Sequence, residues 1–281
     1  MQKMPKKYYA FFTLPTLIAF IIAFLLPFLF GLFLSFTKFT TVTNFTWVGF
    51  SNYITAFTND PDFINATVFT LKFTVISVIL INVLAFLLAL LLTQKIKGTN
   101  VFRTVFFMPN LIGGIVLGYI WQLIINGVLL NFGVDITFDA KYGFWGLMVL
   151  MNWQMVGYMM IIYIAGIQNI SPELTEAAKI DGANSWQILK NITIPMVMPA
   201  ITICTFLTLT NSFKLFDQNL ALTAGAPARS SSMLALDIFD TFYGRNGFEG
   251  VGQAKAVVFF LFVALVVLIQ LRLTRTKEVE S

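Results

Sequence analysis

From Tyr8 to Thr37 the chain carries no charged side chain for 30 consecutive residues. A helix of about 20 apolar residues already crosses the hydrocarbon core of a bilayer. Inside that core water cannot satisfy peptide groups, so the backbone must bond to itself as a helix or a closed barrel. The run also exceeds the ~7–15 apolar residues of a cleavable leader. It predicts a retained first span, with the N-terminus and its Lys3, Lys6 and Lys7 in the cytoplasm. Five more apolar runs follow, and the spans are placed at 11–36, 68–93, 104–125, 145–168, 194–216 and 254–271. Only 11% of the residues are charged, against about 25% in soluble domains. The expectation is an all-α integral membrane protein, one transmembrane domain over 1–281 with six transmembrane helices in a lipid bilayer.

The loops orient it. Eleven basic residues fall in one set of segments (Lys3, Lys6, Lys7, Lys95, Lys97, Arg103, Lys179, Lys190, Arg272, Arg275, Lys277). Five fall in the other (Lys38, Lys141, Arg229, Arg245, Lys255). The positive-inside rule then puts both termini and the segment between spans 4 and 5 in the cytoplasm. Lys72 lies near the outer end of span 2 and can snorkel. Lys214 and Asp217 are spaced to pair at the outer surface, a reading that outweighs a role in transport coupling. The Thr- and Asn-rich segment Lys38–Asn65 reads as an outer loop with a short interfacial helix. In the longest outer loop, 218–253, Leu234, Ile238 and Phe242 recur every four residues and predict a short amphipathic helix. Contact with a soluble partner and plain interfacial packing are both open for it.

Several functions are excluded at this stage. The chain has no histidine and one cysteine, Cys204, in an apolar run. Histidine general bases, phospho-relay histidines, the usual zinc sites and an intrachain disulfide all go with that. The basic residues are dispersed, so no nucleic-acid partner is expected. With no carboxylates clustered at membrane depth, neither a membrane enzyme nor a metal site is expected.

One polar stretch interrupts the apolar runs: SPELTEAAKIDGANSWQILKNITIPMVMP, Ser171–Pro199. Ser171 and Pro172 suit a helix start, and Glu173 and Glu176 suit the positive end of its dipole. Gly182 suits the stop. Asn184, with Gln187 three residues on, suits a second start. Trp186, Leu189 and Ile192 then share a side, and Pro195 and Pro199 mark the return to the membrane. The stretch 171–195 is thus a helix–glycine–helix elbow. From the residues alone it is equally a docking elbow for a cytoplasmic partner or a connector resting on its own bundle.

Glu176-Ala177-Ala178, Gly182 and the Ile192-x-Ile194-Pro195 end together resemble the EAA motif of ATP-binding-cassette importer permeases. Ile194 stands where leucine is usual. The fuller pattern is similar to the carbohydrate branch, the maltose-permease-like type I importers in their six-span form. Arg103–Ile124 and Asn211–Pro227 resemble that family's third span and the segment after its fifth. Gly225-Ala226-Pro227 replaces the usual Gly-Gly-Pro. The resemblance implies the type I ABC importer permease fold, with Glu176, Ala177, Ala178, Gly182 and Trp186 in a cytoplasmic coupling elbow. It implies a second permease subunit (a heterodimer), two ABC ATPase subunits that hold ATP and Mg, and an extracytoplasmic solute-binding protein delivering a carbohydrate. This chain itself then binds no cofactor and catalyses nothing. Glu176 either pairs with a basic residue of the ATPase or caps its own helix.

A sugar path needs hydrogen-bonding groups and aromatic faces. Gln154 and Tyr158 are four apart on span 4, and Thr208, Asn211 and Ser212 lie at i, i+3, i+4 on span 5, so each set shares a helix face. Asn110, after Pro109 in span 3, sits where the resembled family lines its cavity. These six are the substrate-path candidates; the alternative is that they only hydrogen-bond between helices. A secondary transporter or channel of unrelated mechanism is the competing function, and the spans offer it few charges and no repeat.

Overall fold

The computed structural model describes residues 6–41, 43–94 and 96–275. Lys3, Lys95 and Lys277 from the charge count lie outside them. The chain begins with α1 (Lys6–Phe20), a π turn (Ile21–Leu25) and α2 (Leu26–Leu34), then strands β1 (Thr37–Thr41) and β2 (Asn44–Trp47) and helix α3 (Ser51–Thr58). The long α4 (Pro61–Leu92) is followed by α5 (Thr99–Phe107), a 3-10 turn (Met108–Leu111), α6 (Gly114–Leu129) and α7 (Ala140–Gln168). Next come α8 (Pro172–Ile180), α9 (Ser185–Ile188), a second π turn (Leu189–Thr193), α10 (Ile194–Met196) and α11 (Met198–Phe213). The chain ends with α12 (Asp217–Leu222), α13 (Leu234–Gly244) and α14 (Glu249–Arg275).

Among the described residues five helices are long and apolar enough to cross a membrane: Phe11–Leu34, Pro61–Leu92, Gly114–Phe132, Ala140–Gln168 and Glu249–Thr274. A sixth is made by Ser185–Met196 and Met198–Phe213 counted as one span bent by 68°. Two expected spans are corrected by this. Span 3 is not one helix over 104–125: it breaks at Pro109, where Ile112 and Gly113 turn extended before α6 begins. Span 5, expected over 194–216, is helical from Met198 to Phe213 after a turn at Val197, which lies between Pro195 and Pro199 and leaves the helical conformation. Both π turns have one cause. Pro27 and Pro195 have no N–H for the carbonyl four residues back, so the ladder steps to five. Leu26 N–H bonds Ile21 O, and Ile194 N–H bonds Leu189 O.

The described residues divide into two compact units, one within 6–63 and 238–260, the other within 64–237 and 261–275. In the first, β1 and β2 form an antiparallel hairpin pairing Thr37 with Trp47 and Phe39 with Phe45. The segment 38–65 was expected to be loop plus helix; the helix is α3, and the hairpin is new. Buried Asn52 of α3 fixes it, donating to the carbonyls of Ser35 and Thr37 at 2.8 Å each. Trp47 stacks on Phe36 at 5.7 Å.

The same unit holds an ionic cluster where loop charges were expected. Lys255, on α14, is fully buried, and its Nζ donates to Asp60 Oδ2 at 2.9 Å and Thr241 Oγ1 at 2.8 Å. Arg245 forks onto Asp60 at 2.9 Å and Asp62 at 3.0 Å. The Lys255 ammonium also lies 5.1 Å from the Phe63 ring centroid. Lys255 and Arg245 are thus not solvated outer charges. Burying a lone ammonium is costly, and paired carboxylates offset that cost.

In the second unit α7 is the central helix, with 61% of its apolar window buried against 11% for α6. Leu147, Leu150, Met151, Met159 and Met160 fill the core around it. Gly157 lets α5 approach closely, since a Cβ there would overlap the Phe106 carbonyl. Small residues at such crossings are how helices pack where lipid removes the hydrophobic drive.

Candidate functional site

The elbow is built as the residues dictate, with one exception. Ser171 occupies the N-cap of α8, yet its side chain makes no capping bond. Pro172 and Glu173 open the helix and Lys179 closes it, each matched to the dipole. The stop is a glycine-dependent reversal. Gly182 has φ +82°, its N–H bonds Lys179 O at 3.1 Å, and Ala183 N–H reaches Ala178 O at 2.9 Å. That two-bond pattern needs the left-handed conformation that glycine adopts without a Cβ penalty. Asn184 and Gln187 form a reciprocal capping box, with bonds of 2.9 and 2.8 Å.

Glu176 and Ala177 are exposed and Ala178 half-buried. Ile180 and Trp186, large apolar groups, are 86% and 68% exposed. Glu176 makes neither an ion pair nor a side-chain hydrogen bond among the described residues, so it does not cap its own helix. Leu189 and Ile192 are half-buried. After Trp186 the helix continues through the π turn to Met196 and bends by 68° into α11. A cavity of about 170 Å³ sits at the bend, walled by Gly166, Asn169, Ile170, Val197 and Ala200.

A second cavity, of about 150 Å³, is lined by Asn110, Gln154, Asn211, Lys214 and Gln218, with Met151, Met155 and Leu215. Gln218 Nε2 donates to Gln154 Oε1 at 2.8 Å, and Gln154 Nε2 donates to the freed Ile112 carbonyl at 3.3 Å. Asn211 Nδ2 donates to Leu207 O at 2.8 Å, leaving its side-chain oxygen available. The break at Pro109 presents Asn110 to this space.

Three of the six path candidates, Asn110, Gln154 and Asn211, therefore share one polar wall. The other three do not. Tyr158 packs beside Phe107, ring centroids 6.3 Å apart. Thr208 and Ser212 are fully buried, their hydroxyls donating to Cys204 O and Thr208 O at 2.7 and 2.8 Å. Neighbouring helix positions lie about 100° apart, and the boundary of the packed face passes between Asn211 and Ser212.

Lys214 and Gln218 also belong to the wall; the sequence offers Lys214 only as half of a pair with Asp217, and gives no signal for Gln218. The helix stops at Lys214 and restarts at Asp217, which turns Gln218 back onto α7. That break also removes the expected Lys214–Asp217 pair: the i, i+3 geometry is lost, and no ion pair joins them. Asn82 was missed too; it accepts from Tyr163 Oη at 2.7 Å and reaches Thr208 Oγ1 at 3.3 Å. A lone asparagine inside an apolar span was the available signal.

Residues 97–278 match the family described as "Binding-protein-dependent transport system inner membrane component". The chain is 45% identical over 282 residues to the probable starch degradation products transport system permease protein AmyD of Thermoanaerobacterium thermosulfurigenes, covering 97% of this chain and 96% of that one. It is 32% identical to the multiple sugar-binding transport system permease protein MsmF of Streptococcus mutans, covering 99% of each. Its fold is similar to that of a bacterial ABC transporter involved in the import of the acidic polysaccharide alginate, with a TM-score of 0.80 at 21% identity over 96% of each chain. The family match over 97–278 and these identities, on a chain with membrane-spanning helices, settle it: the chain is a multi-pass membrane permease that belongs to the binding-protein-dependent transport system inner membrane component family.

Proposed function

We propose that the chain is the translocation-pore subunit of an ATP-driven importer that receives a carbohydrate from an extracytoplasmic binding protein and moves it inward. The elbow carries the mechanism. It projects two large exposed apolar side chains, Ile180 and Trp186, and its second helix runs on into span 5. Each of two ATPase subunits takes one elbow in a groove, this chain's and that of a second, different permease, with ATP and Mg held by the ATPases. A push on Trp186 and Glu176 travels along Ser185–Met196 as one lever. The bend at Val197, beside its own cavity, converts that push into a tilt of α11 against α7. Gln154 and Asn211 lie on the helices so moved, and with Asn110, Lys214 and Gln218 they form the sugar-facing wall. Both termini lie in the cytoplasm. The identity to the AmyD permease supports a carbohydrate substrate.

The test is co-expression with a candidate ATPase, partner permease and binding protein, followed by purification and uptake of labelled oligosaccharides. The expected result is a complex that holds the ATPase and imports sugar only with binding protein and ATP. Uptake that persists with Gly182 and Glu176 replaced and no ATPase bound would remove the importer mechanism. Import of a non-sugar alone would leave the mechanism standing and remove the substrate.

A further inference from the structure

We propose that the end of α4 carries a binding site for one anionic phospholipid, an inference independent of the sugar reading. A groove of about 270 Å³ lies between the last turn of α4 and the first turns of α5, walled by Leu88, Leu91, Leu92, Ile96, Phe102 and Phe106. No polar group lines it, and Leu91, Ile96, Phe102 and Phe106 are exposed along it. In a bilayer, exposed side chains of this kind meet acyl chains.

What commits the site to a charged headgroup is the cation at its mouth. Arg103 Nη2 donates to Leu92 O at 3.1 Å, tying the guanidinium to a groove wall. The side chain is half-exposed, so a headgroup outside can reach the guanidinium fork, and a phosphate is that fork's natural match. Lys97, exposed in the same short connection, adds a second charge. Hydrocarbon groove and basic mouth together fit an amphiphile with net negative charge. Capping the α4 carbonyls explains one N–H of Arg103 and leaves the rest of the fork unexplained.

The test uses the full chain in its assembled importer, in neutral detergent. Phosphatidylglycerol and phosphatidylcholine of identical acyl chains are titrated in turn, and retained lipid is counted by native mass spectrometry. The wild type is expected to retain phosphatidylglycerol preferentially. One basic residue near an anionic headgroup contributes about fivefold, so Arg103→Gln is expected to cut phosphatidylglycerol retention about fivefold and leave phosphatidylcholine unchanged. Arg103→Lys, which keeps the charge, is expected to hold most of the preference and to rule out misfolding as the cause. Leu91→Trp, which fills the groove, is expected to lower retention of both lipids. Equal retention of the two lipids by the wild type overturns the proposal, as does an unchanged preference in Arg103→Gln or a groove covered by the partner permease in the assembly.

Discussion

The elbow and the Asp60–Lys255 cluster are both polar regions with defined geometry, and they are built on opposite principles. The elbow is exposed and held by its own neighbours, with every structural bond within five residues. The cluster is buried and joins residues 195 apart in sequence. A region stabilised from within can be pushed as a body and moved. A region stabilised by distant pairing resists motion and fixes the helix ends it joins. The contrast predicts that substitutions in the cluster act on stability, while those in the elbow act on assembly and transport.

The largest effect is expected from Lys255→Met. It leaves Asp60 with Arg245 as its remaining cation, in a site where its other oxygen already lacks a partner. Breaking one side of a buried pair costs about 3–5 kcal/mol. Denaturation in detergent should show that loss, and the double variant with Asp60→Asn should recover part of it. A loss below ~1 kcal/mol would mean that water reaches the cluster, and the contrast with the elbow would dissolve.

The difference also explains what could be read in advance. The elbow's glycine stop, capping box and proline return all lie within Ser171–Pro195, so adjacent letters report them. Only the Ser171 cap fails. Asp60, Arg245 and Lys255 each look like an ordinary loop charge, and only the fold brings them together. The polar wall falls between these cases. Pro109 sits at the break that presents Asn110, yet the apolar run reads as one span across it, and helical spacing groups Asn211 with Ser212. Which side of that boundary faces the core depends on α7 and α4, which no spacing within α11 encodes. The hairpin at Thr37–Trp47 was hidden for the same reason: its anchor, Asn52, works through two carbonyls on another element.

Gly182→Val is the next largest. A β-branched residue at φ +82° costs about 1–2 kcal/mol. The loss should stay local to the elbow, visible as faster amide exchange at Gly182 and Ala183, while global unfolding moves little. Uptake should fall well below the wild-type rate. Asn184→Ala removes half of the capping box and costs about 1 kcal/mol, again local. If either change unfolds the whole chain, the elbow is not an independent body and the lever reading fails.

Trp186→Ala has the smallest expected effect on stability and sharpens the comparison most. The indole is 68% exposed and meets no ring partner among the described residues. Its removal should change unfolding by no more than about 0.5 kcal/mol, as for surface positions generally. An exposed tryptophan on an elbow that leads into a span is nevertheless a candidate interface anchor, and such anchors lose ~2 kcal/mol or more of binding when truncated. ATPase co-purification with Trp186→Ala should therefore drop at least tenfold at limiting concentration while the purified chain unfolds as before. If stability falls and assembly holds, the indole is a packing residue at the membrane surface. The lever would then have to be gripped through Glu176 and Ile180 on the other helix of the elbow, across the Gly182 reversal.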